Sequence, residues 1–285
     1  MLSIRGLAKP QYLLRPSQIL RRVLRELRRN PRDGQVLLPW GLELTLDPAD
    51  TVSDALLGQG IYDLVTTEIL WRLTEPGDRT ADVGANVGYM TSMPATRAGA
   101  SGSVLAFELH PKTFSILESN AVGWNTLPNC ARTTAMNGAI SDRDGTAKFA
   151  ERLIGDVNAS PAFLTDDALP SNSEVRVWRL ADFMNEGGDF GVFAGIGDAL
   201  ACGRIRDIVY EEEAGYPAQS HTLLENAGYT IFAFQERLRG PEILPATAMT
   251  APKRFYEVLP SYLATRDLPR ARKLLARPGW QCLIG

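Results

Sequence analysis

Residues 80–89 read Thr80-Ala81-Asp82-Val83-Gly84-Ala85-Asn86-Val87-Gly88-Tyr89. The apolar start predicts a short buried strand, and the glycines after it predict a tight turn. A second apolar stretch ends at Glu108, 26 residues after Asp82. Doubly wound α/β proteins bind an adenosine ribose with such a turn and an acid at the end of the next strand. The sequence therefore predicts an adenosine site at the edge of a mostly parallel sheet.

The spacing inside the turn narrows the choice of ligand. Asp82-x-Gly84-x-Asn86-x-Gly88 is not the G-x-G-x-x-G pattern that seats the pyrophosphate of NAD. An acid at the start of the turn favours a cationic or amine-bearing ligand over a diphosphate. An NAD-dependent or nucleotide-sugar enzyme is thus the less favoured reading.

The pattern resembles that of the S-adenosylmethionine (SAM) methyltransferases, and more narrowly the FkbM family of O-methyltransferases. The similarity covers about residues 36–234. The matching stretches are Asp82–Tyr89, Ala106–Pro111, Asn120, Ala139–Gly145 and Leu180–Phe183.

The resemblance implies cofactor-binding roles for six residues: Asp82, Gly84, Asn86, Gly88, Glu108 and Asn137. The glycines would form the turn beneath the amino-acid moiety of SAM, Glu108 would bind the ribose hydroxyls, and Asn137 would contact the adenine. Each of these residues could instead have a purely structural role, in an ordinary β–α turn, as an acid at a strand end or as the cap of a turn. Tyr89 either covers the cofactor or packs in the core.

Methyl transfer to a hydroxyl needs a base that takes the proton, and the carboxyl ends of the strands should supply it. Glu211, Glu212 and Glu213 follow an apolar strand, and alternation sends Glu211 and Glu213 to the same face. The predicted catalytic residues are Glu211, Glu213 and Asp182. His221 is a further candidate base, and Asn158 and Ser160 are candidates for the acceptor pocket.

The chain departs from the family pattern after Phe183. The family carries a strand with a Lys-Ile-Asp-x-Glu-Gly type motif there, whereas residues 184–191 contain three glycines and no apolar run. We therefore predict that this strand is absent, or replaced by Glu174–Phe183 with Asp182 near the position of the missing acid. The departure motivates an alternative function, a catalytically impaired SAM-binding relative that acts as an interaction or regulatory module.

The composition is that of a soluble globular chain: 285 residues, 45% hydrophobic and 22% charged. Residues 1–35 carry nine Arg or Lys and two acids, a net charge of +7. Because the whole chain has a net charge of −3, residues 36–285 carry −10. We predict a basic N-terminal helix that has a solvated face or docks on a partner, and no binding of nucleic acid by the acidic remainder. No stretch is long and apolar enough for a transmembrane helix. The three cysteines lack metal spacing, which favours no metal and a cytoplasmic location.

The expected fold is a doubly wound α/β domain with a mostly parallel, seven-stranded-type sheet of the Rossmann-like, class I SAM methyltransferase kind. We predict a basic helical segment at 1–35, the SAM-binding domain at 36–240, and an extension at 241–285 that packs on it. The resemblance implies SAM as cofactor and O-methylation of a hydroxyl on a small molecule or glycan.

Overall fold

The computed structural model describes residues 34–47, 51–140, 144–151, 162–165, 173–179, 183, 190–193, 204–212, 214–248 and 261–283. The basic segment before residue 34 lies outside this part of the chain, so its docking role stays a prediction. Four of the candidate residues also lie outside it: Asn158, Ser160, Asp182 and Glu213. No helix within the described ranges is long and apolar enough to cross a membrane.

A hairpin and two helices precede the main sheet. Strands β1 (Gln35–Leu37) and β2 (Glu43–Thr45) pair in antiparallel fashion. Helices α1 (Thr51–Gln59) and α2 (Leu64–Leu73) follow. Leu44 of the hairpin and Leu70 of α2 are buried in the same hydrophobic cluster, so the hairpin closes one face of the domain.

The main sheet has eleven strands in the described part of the chain. They are β3 (Arg79–Val83), β4 (Ser103–Glu108), β5 (Arg132–Ile140), β6 (Gly145–Glu151), β7 (Ala162–Thr165), β8 (Ser173–Trp178), β9 (Phe190–Phe193), β10 (Ile205–Glu211), β11 (Thr230–Arg237), β12 (Gly240–Pro245) and β13 (Ser261–Thr265). Their order is β12-β11-β13-β10-β9-β3-β4-β5-β8-β6-β7. The strands from β10 to β8 in this order pair in parallel.

Helices cover both faces of this sheet. They are α3 (Tyr89–Arg97), α4 (Pro111–Trp124), α5 (Gln219–Asn226) and α6 (Leu268–Leu275). Side chains of one strand alternate between the faces, so Val104 lies in one hydrophobic cluster while Phe107 lies in another. The prediction of an α/β fold with a mostly parallel central sheet is confirmed.

The strand after Phe183 is present, and its predicted absence was wrong. Strand β9 lies between β3 and β10 and pairs with both in parallel. Glu174–Phe183 does not replace it, because β8 pairs with β5 on the far side of β4. The apolar run is only four residues long and contains Gly191, which weakens its strand signal in the sequence. Pairing on both sides satisfies its backbone, so four residues are enough.

The residues after position 240 take part in the sheet itself. Strand β13 lies between β10 and β11 and is antiparallel to both. The segment that follows is fixed to α2 through a buried ion pair of that helix, in which Arg72 Nε donates to Glu68 Oε1 at 2.6 Å. Arg72 Nη1 also donates to the carbonyl oxygen of Leu275 at 2.7 Å. The other carboxylate oxygen of Glu68 accepts from the amide of Cys282 at 2.8 Å. The predicted C-terminal extension therefore contributes a central strand as well as packing.

The strand order locates a ligand crevice. From β3 the chain proceeds through β4 to β5 in one direction, and then returns to place β9 and β10 on the other side of β3. In open α/β sheets, ligands bind outside the carboxyl ends of the strands where the order reverses. That position lies between β3 and β9, directly after Val83.

Candidate cofactor site

The glycine turn is held in an unusual backbone conformation. Gly84, Asn86 and Gly88 all have positive φ, at 81°, 51° and 97°. The amides of Gly84 and Ala85 both donate to the carbonyl oxygen of Phe107 at 2.9 Å. The turn is therefore tied to the end of β4, the strand that carries Glu108.

The two glycines serve different purposes. A Cβ at Gly84 would meet no atom within 4 Å, and this residue is exposed. A Cβ at Gly88 would lie 2.9 Å from Leu117 Cδ1 and 2.9 Å from Trp124 Cη2. Gly88 lets α4 pack against the turn, whereas Gly84 leaves space above the backbone for a ligand.

Glu108 is positioned by two backbone amides. Its Oε2 accepts from the amide of Asn86 at 2.9 Å, and its Oε1 accepts from the amide of His110 at 2.8 Å. The residue is 9% exposed. The turn and the strand end thus orient a carboxylate that is able to accept from a pair of ribose hydroxyls.

Asp82 is a buried acid beneath the turn. It is 2% exposed, and its Oδ2 accepts from the hydroxyl of Thr91 at 2.6 Å. Burial raises the pKa of Asp82 to about 7, and the negative charge of Glu108 adds to this rise. The hydrogen bond from Thr91 opposes it. At neutral pH the carboxyl group is therefore close to half protonated.

Asn137 lies next to Glu108. Its side-chain Nδ2 donates to the carbonyl oxygens of Glu108 at 2.9 Å and of Leu109 at 3.2 Å. The side chain of Asn86, by contrast, shapes the turn, because its Oδ1 accepts from the amide of Val87 at 2.5 Å. The structure thus brings together the six predicted cofactor residues at one edge of the sheet, with Asn86 contributing backbone geometry.

Tyr89 packs in the core rather than standing over the crevice. It is 2% exposed, and its hydroxyl lies 2.9 Å from Thr67 Oγ1. Its ring contacts Trp40, with the centroids 5.7 Å apart. Of the two readings of Tyr89, the structure supports packing.

Asn120 joins three parts of the site. Its Oδ1 accepts from the amide of Thr45, and its Nδ2 donates to the carbonyls of Thr45 at 2.9 Å and Val87 at 2.8 Å. The hairpin, the glycine turn and α4 are therefore fixed relative to one another by one buried amide. Asn120 matched the family pattern, but no role was predicted for it.

The acids at the end of β10 differ in their surroundings. Glu211 is exposed and lies opposite Ser261 in the ladder between β10 and β13. Glu212 accepts hydrogen bonds from Ser220 Oγ at 2.5 Å and from the amide of Ala214 at 3.1 Å, so it caps the loop that leads to α5. Glu211 is thus the predicted base that the structure places at the carboxyl edge.

His221 is enclosed by aromatic rings. It is fully buried, its Nδ1 accepts from the amide of Ala218 at 3.0 Å, and its ring packs edge-on against Tyr262 with the centroids 4.6 Å apart. Burial lowers the pKa of His221. These contacts explain His221 as a core residue at the start of α5.

The residues at the crevice fit an adenosine cofactor. Glu108 would supply acceptors for ribose hydroxyls, Gly84 would leave room for close approach, and Asn137 would add an amide beside them. Across the described ranges, no three His, Cys, Asp or Glu side chains cluster in a way that would hold a metal ion.

No protein-family model and no curated protein matches this chain. Solved structures do match it, among them two methyltransferases and one protein with bound SAM. Precorrin-6y C5,15-methyltransferase from Geobacter metallireducens is 14% identical over 70% of this chain and 83% of its own, with a TM-score of 0.36. A SAM-dependent O-methyltransferase from Thermotoga maritima is 15% identical over 79% and 72%, with a TM-score of 0.40. Fibrillarin from Aeropyrum pernix, with natively bound SAM, is 12% identical over 70% and 73%, with a TM-score of 0.37.

Proposed function

We propose that this chain is a SAM-dependent methyltransferase that transfers a methyl group to a hydroxyl of a small molecule or glycan. The observation that carries the proposal is the Glu108 carboxylate, held by the amides of Asn86 and His110 beside an open glycine turn. This arrangement suits the two adjacent hydroxyls of a ribose. It lies at the strand-order reversal where α/β sheets bind nucleotides.

The acids around the turn favour SAM over a dinucleotide. Asp82 lies beneath the turn and Glu108 beside it, so a pyrophosphate would meet the negative charge of Glu108 and would raise the pKa of Asp82 further. SAM instead carries an ammonium and a sulfonium. Two unit charges 4 Å apart attract or repel each other by about 1 kcal/mol in water and by about 4 kcal/mol near a protein surface.

The proposed roles divide between two strand ends. SAM, when bound, supplies an electrophilic methyl group on its sulfonium. Glu108 holds the ribose, Asn137 contacts the adenine, and Gly84 permits close approach of the cofactor. Glu211, at the end of β10, takes the proton of the acceptor hydroxyl as the oxygen attacks. Glu213 and Asp182 remain candidates for the same role.

The alternative, a catalytically impaired relative, loses part of its motivation. It rested on a missing central strand, and β9 occupies that position. The residues of the family motif are still different in this chain, so turnover has to be tested separately from binding.

Calorimetric titration with S-adenosylhomocysteine tests the cofactor. We expect binding by the parent, and a loss of about 10- to 100-fold in Glu108→Gln, because hydrogen bonds to a charged acceptor contribute about 1.5 to 3 kcal/mol. Glu118→Gln is the matched control, since Glu118 is an exposed acid on α4. A folded parent that binds NADH but not S-adenosylhomocysteine would refute the proposal.

Turnover is tested by incubating SAM with a panel of hydroxyl-bearing sugars and phenols and measuring S-adenosylhomocysteine release. We expect release with at least one acceptor, and a lower kcat with little change in cofactor affinity in Glu211→Gln. Binding without release on every acceptor would favour the non-catalytic relative.

A further inference from the structure

His221 closes the start of helix α5. The helix begins after Ala218, whose methyl side chain has no acceptor for the free backbone amides of the first turn. His221, three positions further on, reaches back instead, and its Nδ1 accepts from the amide of Ala218 at 3.0 Å. A capping box carries Glu or Gln at this position. A histidine there makes the cap depend on the protonation state of the ring.

This hydrogen bond fixes which nitrogen of the ring carries the proton. Because Nδ1 accepts, it has no hydrogen, and the neutral ring carries its proton on Nε2. Nε2 is buried, and no group in the described ranges provides it with a hydrogen-bond partner. A second proton would therefore go to Nδ1, where it would face the N–H of Ala218. The ring of His221 caps α5 only while it is neutral.

Three tyrosine rings enclose the imidazole, which is fully buried. The ring centroids of Tyr210, Tyr216 and Tyr262 lie 5.7, 5.0 and 4.6 Å from that of His221. Burial raises the pKa of Tyr210 and Tyr262, and the hydrogen bond of Tyr216 to Glu225 raises that of Tyr216. All three hydroxyls are therefore uncharged at neutral and acid pH, and the rings provide no negative charge for an imidazolium.

The charges near the ring act in both directions. Burial lowers the pKa of His221, and the partial positive charge at the start of α5 acts in the same direction. The carboxylates of Glu212 and Glu225 oppose this shift, but burial outweighs them. The folded protein therefore binds the second proton of His221 less readily than an exposed imidazole does.

The cap holds the end of the loop that follows the proposed base. This loop, residues 212–218, starts directly after Glu211 at the end of β10 and ends where α5 begins. Glu212 ties its first residue to α5, because its Oε2 accepts from Ser220 Oγ at 2.5 Å. His221 ties its last residue to the same helix. Loss of the cap would free the loop at its α5 end.

We propose that His221 is a pH-sensitive latch, which holds loop 212–218 on α5 while its ring is neutral and releases the loop when the ring is protonated. In the released loop the imidazole has its ordinary pKa of 6.5, above that of the latched form. The latched form is therefore fully favoured above pH 6.5 and loses this advantage as pH falls below it. Under the proposed function, the latch would make the surroundings of Glu211 depend on pH.

Hydrogen exchange of the ligand-free parent, followed by NMR at pH 7 and pH 5, tests the latch. The protection factor of an amide compares its exchange rate with that of an unstructured chain at the same pH. The protection factor of the Ala218 amide should fall about 5- to 20-fold at pH 5, because each pH unit between the two pKa values changes the opening equilibrium up to about tenfold. The amide of Leu127, bonded to the carbonyl of Trp124 at 2.9 Å in a loop without histidine, should keep its protection factor.

Two variants separate the titration of His221 from the packing of the loop. His221→Asn keeps an acceptor, because its Oδ1 is as many bonds from the backbone as Nδ1, but it has no proton to gain. The protection factor of its Ala218 amide should be the same at both pH values. Tyr216→Phe, the matched control, loses the hydrogen bond to Glu225 and keeps the imidazole, so the pH dependence of the parent should remain.

A direct titration checks the latch without any change at position 221. The chain has two histidines, so the NMR spectrum of His110→Gln identifies the imidazole of His221. We expect its titration midpoint below pH 6.5. A midpoint at or above this value, equal protection of the parent Ala218 amide at both pH values, or a parent-like pH dependence in His221→Asn would overturn the inference. If His221→Asn does not fold, the first two measurements decide. None of them uses a ligand, so their failure is distinct from a failure of the proposed function.

Discussion

Replacing Asp82 by asparagine should change how the stability of the protein depends on pH. Asparagine keeps an oxygen that is able to accept from the Thr91 hydroxyl, but it has no proton to gain or lose. In the parent, the pKa of Asp82 is raised from 3.8 to about 7, mainly by burial. The folded protein therefore holds a proton that the unfolded chain releases between these two values.

The sign of the effect follows from this uptake. Because the folded state holds a proton that the unfolded chain releases, Asp82 makes the free energy of unfolding higher at low pH than at high pH. This contribution falls as pH rises and is lost once pH has passed about 7. One pKa unit corresponds to 1.36 kcal/mol. Between pH 5 and pH 8.5 the loss in the free energy of unfolding amounts to about 3 kcal/mol.

Urea unfolding of the cofactor-free parent and Asp82→Asn at pH 5, 6, 7 and 8.5, followed by circular dichroism, measures this directly. The stability advantage of the parent over the variant should shrink by about 3 kcal/mol across the series, since the other titrating groups are common to both proteins. Thr91→Val should move the loss to higher pH, because the hydroxyl of Thr91 lowers the pKa of Asp82. A difference between parent and variant that stays constant with pH would refute the reasoning.

Other variants test the packing around the site. Gly84→Ala and Gly88→Ala both put a side chain at positive φ, at a cost of about 1 to 2 kcal/mol. Only the Cβ at position 88 also meets side-chain atoms, so urea unfolding should show the larger loss in the free energy of unfolding for Gly88→Ala. A larger stability loss for Gly84→Ala would contradict this reading of the turn. Glu68→Gln should lower the free energy of unfolding by about 3 kcal/mol, because it leaves Arg72 buried without its opposite charge. An unchanged midpoint would show that the carbonyl oxygens of Leu275 and Gly279, which accept from the Arg72 guanidinium, are enough to stabilise it. Asn120→Ala removes three hydrogen bonds and should cost about 2 to 4 kcal/mol in unfolding, with faster amide exchange in the glycine turn and unchanged exchange in β11.

The parts of the fold that the sequence predicted are those with strong local signals. The buried run before Asp82, the glycines after it and the acid that ends β4 are consecutive in the chain and define both strands and the turn. Strand β9 was missed because its evidence is not local. Four residues with a glycine among them do not read as a central strand, and only pairing with β3 and β10 makes them one.

The same distinction applies to the site. Glu108 and Asp82 were predicted because their spacing to the glycines carries a known chemistry. Thr91 carries no motif, since it reaches Asp82 through the packing of α3 on β3.

The acid beneath the glycine turn would favour the proposed cofactor over a dinucleotide for an electrostatic reason. Burial raises the pKa of Asp82, which means that this group is held in surroundings unfavourable to its own charge. A bound cation near such a group lowers its pKa and recovers part of that energy, whereas a diphosphate raises it further. The acid that opens the glycine turn would then select against NAD by charge as well as by spacing.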